Sequence, residues 1–227
     1  MLDDKKNLLA YLYTFLTEDR QKKIKKNLLD RTRYITVLLE DMHQSHNVAA
    51  VMRSCDGLGV QDIHCVEHEN TLEIKKNIAM GASKWLTVHR YKSAEPGKSA
   101  TLSCIEKLKK SGYTIVATSP HGKKTLSQLP LNSKIALMFG TEDEGLSKDA
   151  LDAADELMTI PMYGFVESFN VSVSVALCLY DLTSRLRVLD VDWKLSAEEQ
   201  AALELIWLKA AVDRGDILER EFYKKLA

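Results

Sequence analysis

The loop Gly140–Ser147 (GTEDEGLS) is a candidate ligand site, because it directly follows an apolar run. Its two glycines have the spacing of a phosphate-binding P-loop, but Leu146 stands where that loop requires a lysine. Its three successive carboxylates would repel a triphosphate. No GxGxxG follows any predicted strand, which disfavours a dinucleotide site of the Rossmann type. The loop suits a ligand with cationic or hydroxyl groups, or else it is an acidic turn with two permissive glycines.

A second candidate is the segment SHNVAAVMRS (45–54), which places Asn47 and Arg53 after the first apolar run. Polar side chains at the carboxyl end of a parallel strand lie where α/β sheets build their sites. The structural alternative is that Asn47 caps a helix while Arg53 pairs with Asp56 on the surface.

The third candidate segment, IPMYGFVESFNVSVSVA (160–176), offers Ser168 and Asn170 just before a long apolar run. Either residue could simply cap a buried helix that begins there. The segment HCVEH (64–68) has metal-ligand residue types, but no second ligand pair has matching spacing. We therefore predict no metal site.

Alternating apolar runs and helical patterns predict the elements that position these segments. Strands are predicted at Tyr34–Glu40, Asp62–Glu67, Trp85–Arg90, Tyr113–Thr118, Ile135–Phe139 and Glu156–Ile160. Helices are predicted at 47–56, 71–80, 97–111, 147–154 and within the apolar run 168–188, with Gly57, Gly81 and Gly112 as C-caps. Near-continuous apolar strands separated by helices predict an α/β domain, with a mostly parallel sheet covered by helices on both faces.

Helical extensions are predicted on both sides of this domain, which spans residues 34–189. The N-terminal extension, 1–33, has nine basic and five acidic side chains, a net charge of +4, and Thr17 as a helix N-cap. It contains a KKIKK block with the four lysines Lys22, Lys23, Lys25 and Lys26. This block is either a solvated helix face or an arm that contacts phosphates. The C-terminal extension, 190–227, is mildly acidic and begins its helix at Ser196 with a capping-box pattern.

Composition narrows the class of protein. The 227 residues are 45% hydrophobic and 28% charged with a net charge of -1, which is typical of a globular chain. No window approaches eighteen uncharged apolar residues, and the first residues lack an apolar signal core, so we expect neither membrane insertion nor secretion. Four scattered cysteines suit the reducing cytoplasm.

Taken in order, the three segments resemble the motifs of the SPOUT class of S-adenosylmethionine-dependent RNA methyltransferases, in its SpoU/TrmH branch. HNVAAVMRSCDGLGV resembles motif 1, IALMFGTEDEGLS motif 2, and IPMYGFVESFNVSVSVALCLYDL motif 3. The tail after residue 194 is similar to the extension of TrmH-type tRNA guanosine-2′-O-methyltransferases. The related ribosomal-RNA enzymes carry an N-terminal substrate-binding domain, and we expect none here because few residues precede the first strand.

The resemblance implies a parallel sheet whose C-terminal segment forms a trefoil knot, a rare exception to un-knotted folds. It implies a homodimer that binds S-adenosyl-L-methionine in the knot, with the motif 3 helix in the interface. The implied reaction methylates the ribose 2′-hydroxyl of a guanosine in tRNA, at position 18 of the D-loop. The alternatives are the same chemistry on ribosomal RNA or another tRNA site, or a non-catalytic RNA-binding relative.

The resemblance also assigns roles to individual residues. The catalytic positions are Asn47, Arg53, Glu142, Ser168 and Asn170. Donor contacts are expected from Thr118, Gly140, Gly145, Leu146, Ile160, Met162 and Phe169, which replaces the usual leucine. Arg53 is either the general base or a bidentate clamp on the substrate phosphate. The KKIKK block is a better candidate for tRNA phosphate contacts than the acidic C-terminal extension.

Overall fold

The structure is a computed structural model that describes residues 2–71, 81–93 and 99–226. Its strands are β1 Ile35–Glu40, β2 Asp62–Glu67, β3 Thr87–Lys92, β4 Tyr113–Thr118, β5 Lys124–Thr125, β6 Lys134–Phe139 and β7 Glu156–Thr159. Its helices are α1 Leu2–Tyr13, α2 Glu18–Leu29, α3 Ser45–Leu58, α4 Ala100–Lys110, α5 Lys148–Ala153, α6 Val171–Leu186, α7 Ala197–Ala211 and α8 Gly215–Leu226. The chain divides into two compact units, Thr32–Trp193 and the two terminal segments that flank it.

The larger unit is built on a seven-stranded sheet in the order β3-β2-β1-β6-β4-β7-β5. Every pairing between these strands is parallel. This result confirms the predicted α/β class and the mostly parallel sheet. Parallel strands need crossover connections, and α3, α4 and α5 provide those from β1 to β2, from β3 to β4 and from β6 to β7.

Helices cover both faces of the sheet, and β1 shows how. All six of its residues are buried. Val37 packs in a cluster with residues of α3 and α6, whereas Leu38 packs in a cluster with residues of α4 and α5. Successive side chains of a strand point to opposite faces, so a strand buried on both faces must be almost continuously apolar. The same reason explains why the strands were readable from the sequence.

Some predicted boundaries were wrong. The strand predicted at Trp85–Arg90 is Thr87–Lys92, because a short 3-10 turn extends to Lys84 just before it. Gly57 does not end α3, which continues to Leu58 and ends at Gly59 with a left-handed φ of +79°. The two-residue strand β5 was not predicted. The helix predicted at 71–80 lies, from residue 72 on, outside the described residues.

The smaller unit contains α1 and α2 up to Arg31 together with α7 and α8 from Lys194. Its core is apolar and includes Leu8, Leu12, Ile24, Leu28, Leu203, Trp207 and Leu208. The guanidinium of Arg31 lies over the Trp207 ring, 4.9 Å from its centroid, a favourable cation–π contact. The predicted N-cap at Thr17 and the capping box at Ser196 are both confirmed. Across the described ranges, no helix is long and apolar enough to cross a membrane.

Candidate functional site

A cavity of about 460 Å³ opens where the carboxyl ends of β4, β6 and β7 meet, a usual size for a small-molecule site. All seven residues predicted to contact a ligand line it: Thr118, Gly140, Gly145, Leu146, Ile160, Met162 and Phe169. Two of the five predicted catalytic residues, Glu142 and Ser168, also line it. Three separate stretches of sequence therefore contribute to one concave surface.

The loop from Gly140 to Leu146 is closed by its own backbone. The Thr141 N–H donates to the Gly145 oxygen, and the Gly145 N–H donates to the Thr141 oxygen, each over 3.1 Å. A Cβ atom on Gly140 would lie 1.9 Å from the Gly145 oxygen, and Gly145 itself has a left-handed φ of +72°. Both positions therefore require glycine, for close approach in the first case and for backbone conformation in the second.

Three predicted catalytic side chains form one hydrogen-bonded cluster, although they follow three different strands. The Asn170 Nδ2 donates to Glu142 Oε1 over 2.5 Å and to Asn47 Oδ1 over 3.1 Å. The Asn47 Nδ2 donates to Glu142 Oε1 over 3.1 Å and to Gln44 Oε1 over 2.8 Å. The amide groups therefore hold the Glu142 carboxylate at the edge of the cavity that it lines.

The two asparagines reach this cluster differently. Asn170 is the N-cap of α6, and its Oδ1 accepts hydrogen bonds from the backbone N–H and the hydroxyl of Ser172 over 2.9 and 2.5 Å. The cap fixes the amide, so that its Nδ2 faces Glu142. Asn47 is not a cap, contrary to one reading of the sequence, because α3 begins earlier, with Gln44 in the N-cap position. Asn47 lies buried in the first turn instead.

Arg53 does not join this cluster. It is exposed on α3, and it does not line the cavity. It follows Asn47 by six residues, which corresponds to about 240° around the helix axis and about 9 Å along it. The two residues therefore lie on different faces of α3, and the Arg53 side chain is exposed to solvent.

The lining of the cavity is acidic. Carboxylates of Glu142, Asp143, Glu144 and Glu167 contribute to it, and among the described residues that line it none is lysine or arginine. A concave site with one sign of charge attracts ligands of the opposite sign. The sequence analysis did not single out Glu167 or His121, which also line the cavity. Their position after the carboxyl ends of β7 and β4 is the signal that would have found them.

The two histidines of the segment 64–68 have separate partners. His64 Nδ1 lies 3.1 Å from the Tyr91 hydroxyl, and its ring stacks on His89 with centroids 4.6 Å apart. Burial, with the neighbouring His89, lowers the pKa of His64 to about 4. His68 Nε2 instead lies 2.8 Å from the Thr101 hydroxyl. In the part of the chain that the structure describes, no group of three or more His, Cys, Asp or Glu side chains is arranged to hold a metal ion.

Comparison with known sequences identifies similar proteins. The profile of the SpoU rRNA Methylase family matches residues 34–180. The tRNA (guanosine(18)-2′-O)-methyltransferase of Borreliella burgdorferi is 38% identical over 220 residues, which are 96% of this chain and 98% of that protein. The Thermus thermophilus protein of the same name is 33% identical over 166 residues, 73% of this chain and 82% of that protein.

Comparison with solved structures finds similar proteins of the same kind as the sequence comparison. The Aquifex aeolicus TrmH/SpoU tRNA modifying enzyme superposes with a TM-score of 0.75 at 26% identity, covering 86% of this chain and 98% of that chain. The SpoU methyltransferase AviRb from Streptomyces viridochromogenes, in complex with the cofactor AdoMet, has a TM-score of 0.60 at 22% identity, covering 72% of this chain and 62% of that one. The second likeness shows the fold alone.

The double role of Asn170 gives a testable prediction. Asn170→Asp keeps an oxygen for the Ser172 N–H but sets an anion against Glu142, so we expect a loss of about 1 kcal/mol of unfolding free energy at pH 7. One of the two carboxylates takes up a proton as the pH falls, so this loss should shrink toward pH 4. Asn170→Ala, which removes the cap, should lose a similar amount at both pH values.

Urea unfolding at pH 7 and pH 4 measures both effects, with Asn170→Ser as the neutral control that keeps a capping oxygen. An Asp variant as stable as the wild type at pH 7 would show that Asn170 and Glu142 are not in contact.

Proposed function

This chain belongs to the SpoU rRNA Methylase family, and we propose that it methylates the ribose 2′-hydroxyl of guanosine 18 in the D-loop of tRNA. The observation that carries the choice of substrate is the 38% identity to the Borreliella burgdorferi tRNA (guanosine(18)-2′-O)-methyltransferase across 96% of the chain. By contrast, the 23S rRNA (guanosine-2′-O-)-methyltransferase RlmB of Nitrosomonas europaea aligns over only 65% of the chain, at 31% identity. The extensions outside the α/β unit are therefore shared with a tRNA enzyme.

In this proposal the cavity binds S-adenosyl-L-methionine, which supplies a methyl group on a cationic sulfonium. The residues present fit that group, because the acidic lining offers carboxylates to the sulfonium and the α-ammonium. The apolar residues Leu146, Ile160 and Phe169, which are not fully buried, line the same cavity and offer a surface for the adenine ring. The AviRb structure, which has the same fold, contains AdoMet.

The remaining site residues act on the RNA. A ribose hydroxyl is a poor nucleophile unless it is held in line with the methyl group and its proton has an acceptor. Glu142, Asn47 and Asn170 form the hydrogen-bonding cluster that would orient the ribose, with Ser168 beside it on the cavity wall. We assign Arg53 to the substrate phosphate, because a guanidinium stays protonated and can bind two phosphate oxygens at once.

We also propose that the enzyme is a homodimer. Val173, Leu177 and Tyr180 are exposed at successive turns of α6, with 44%, 40% and 67% of their surface accessible. An apolar stripe on an otherwise well-packed helix is typical of a surface covered by a partner. A second copy would cover it, and would also give the outward-pointing Arg53 a cavity to reach.

The same proposal includes the way in which the end of the α/β domain is threaded. We infer that the end of the α/β domain, which we place at 34–189, is threaded as a trefoil knot. This inference rests on membership of the family, and the Arg185 guanidinium of α6 donates to the backbone oxygens of Leu126 and Leu129, which holds this helix against the segment between β5 and β6. Four free, buried cysteines suit a cytoplasmic enzyme.

The basic N-terminal extension, 1–33, serves RNA binding in this proposal through the KKIKK block, and no role is assigned to the mildly acidic extension 190–227. All four of its lysines are exposed on α2, while Ile24 between them is buried. Contacts to phosphates supply most of the sequence-independent affinity for RNA. The block therefore offers exposed cations in the helical unit, which does not contain the cavity.

The reaction is tested with purified protein, S-adenosyl-L-methionine and a tRNA transcript that has guanosine at position 18. We expect one ribose methyl group, located at nucleotide 18 by mass spectrometry of nuclease fragments, and none when that nucleotide is adenosine. Calorimetry in EDTA should show binding of the donor and of its demethylated product. If the protein methylates only a ribosomal RNA fragment, its substrate is ribosomal RNA and not tRNA. If it binds no donor, the assignment of the cavity to S-adenosyl-L-methionine is refuted.

The basic block is tested by replacing Lys22, Lys23, Lys25 and Lys26 with glutamine. We expect weaker tRNA binding and a flatter dependence of log K on log salt, by about one unit of slope for each lysine that binds a phosphate, with unchanged donor affinity. The matched control replaces Lys224 and Lys225, the exposed lysines in the last turn of α8, with glutamine. If both variants bind tRNA like the wild type at every salt concentration, the block is only a solvated helix face.

The shared site is tested by complementation between two inactive variants. Arg53→Ala should bind donor without activity, and Gly140→Val should block the cavity while keeping Arg53. If Arg53 serves the partner's cavity, a mixed dimer contains one intact site and recovers up to about half of the wild-type activity. Heterodimers purified on two different tags and found as inactive as either parent would show that Arg53 serves its own subunit.

A further inference from the structure

Glu40, the last residue of β1, is a buried carboxylate that the proposed reaction does not use. Only 3% of its surface is exposed. Its Oε1 accepts from the Thr101 hydroxyl over 2.5 Å and from the Ser147 hydroxyl over 2.7 Å. Its Oε2 accepts from the Ser147 backbone N–H over 2.8 Å. A buried charge is costly unless it is well hydrogen-bonded, so these partners explain why a carboxylate is tolerated here.

The partners of Glu40 connect the ends of several elements. Thr101 lies in the first turn of α4, and Ser147 is the N-cap of α5. His68 follows β2, and its Nε2 lies 2.8 Å from the Thr101 hydroxyl and 3.7 Å from Glu40 Oε1. All of these groups lie at the carboxyl edge of the sheet, which is also the edge where the cavity opens.

Ser147 is the residue at which the cavity loop ends. The loop leaves the sheet after Phe139, which is paired with Leu39 in the ladder between β1 and β6. It returns at Ser147, which is bound to Glu40, the residue next to Leu39. Consecutive residues of β1 therefore fix both ends of the loop, the first through the strand ladder and the second through a side chain.

We propose that Glu40 is a positioning residue for the methyl donor, because it holds the loop Gly140–Leu146 in the shape that lines the cavity. This inference rests on the proposed function of the cavity. Glu40 contacts neither donor nor RNA, so its loss should weaken donor binding and leave the step after binding intact. The expected signature is a higher KM for the donor at nearly unchanged kcat.

The direct test is Glu40→Gln, which keeps the size of the side chain but replaces one acceptor oxygen by a donor. The Ser147 N–H cannot rotate away, as a hydroxyl can, so either it or the two hydroxyls lose an acceptor. We expect the Kd for S-adenosylhomocysteine, measured by calorimetry, and the KM for S-adenosylmethionine each to rise about tenfold. The kcat at saturating donor should stay within about twofold of the wild-type value.

A second pair of variants covers the case in which Glu40→Gln fails to fold. Ser147→Ala removes the hydroxyl that donates to Glu40, while Ser147→Thr keeps it, together with the cap of α5. We expect weaker donor binding in the Ala variant and wild-type binding in the Thr variant.

Asp62 provides the matched control for general destabilisation. It is also a buried carboxylate, on the neighbouring strand β2, and its Oδ2 accepts from the Arg33 Nε over 3.0 Å. It is the first residue of its strand and therefore lies at the opposite edge of the sheet from the cavity. Asp62→Asn should lower the melting temperature without changing donor affinity.

The outcomes separate this inference from the proposed function. Wild-type protein that binds neither donor nor product would refute the assignment of the cavity and the inference with it. If the wild type binds the donor and both Glu40→Gln and Ser147→Ala bind it with the wild-type affinity, only the role of Glu40 is overturned. Equal weakening in Asp62→Asn would also overturn it, because the loss would then reflect stability and not the loop.

Discussion

The parallel pairing of the strands is the constraint on which the site depends. Parallel strands place all their carboxyl ends at one edge, and crossover helices cover both faces of the sheet. The segments after β1, β6 and β7 therefore meet at that edge, although Asn47 and Asn170 are 123 positions apart in the chain. The Glu142 carboxylate, which accepts from both amides, is the point at which these segments join.

A second constraint is electrostatic. The carboxylates that line the cavity favour a cationic small molecule and repel the phosphates of a nucleic acid. An enzyme that uses such a cavity on RNA needs cations elsewhere, and among the described residues that line the cavity none is lysine or arginine. Arg53 is exposed and does not line the cavity of its own chain, and the exposed lysines of α2 belong to a separate helical unit. Donor and substrate can thus be bound by surfaces of opposite charge.

Local sequence predicted the elements better than it predicted their ends. The strands at Asp62–Glu67 and Tyr113–Thr118 were predicted to the residue, because each has buried apolar residues at its centre and ends at residues with polar groups. The end of α3 was misplaced, since two glycines close together offer the same local signal and only the backbone φ distinguishes Gly59 from Gly57. β3 was misplaced by two residues, because an edge strand is only partly buried and its apolar signal is weak.

The sequence by itself determined the α/β class, the family and nine of the residues that line the cavity, because these depend on periodicity and on motifs that are contiguous in the chain. Only the tertiary structure decided which side chains touch. Asn47 reads as a helix cap but is bound to Glu142, and Glu40 reads as the end of an apolar strand but holds the cavity loop. The structure also joins the two terminal extensions into one helical unit. Such contacts link residues about a hundred positions apart, and their free energy depends on burial and geometry that no local pattern encodes.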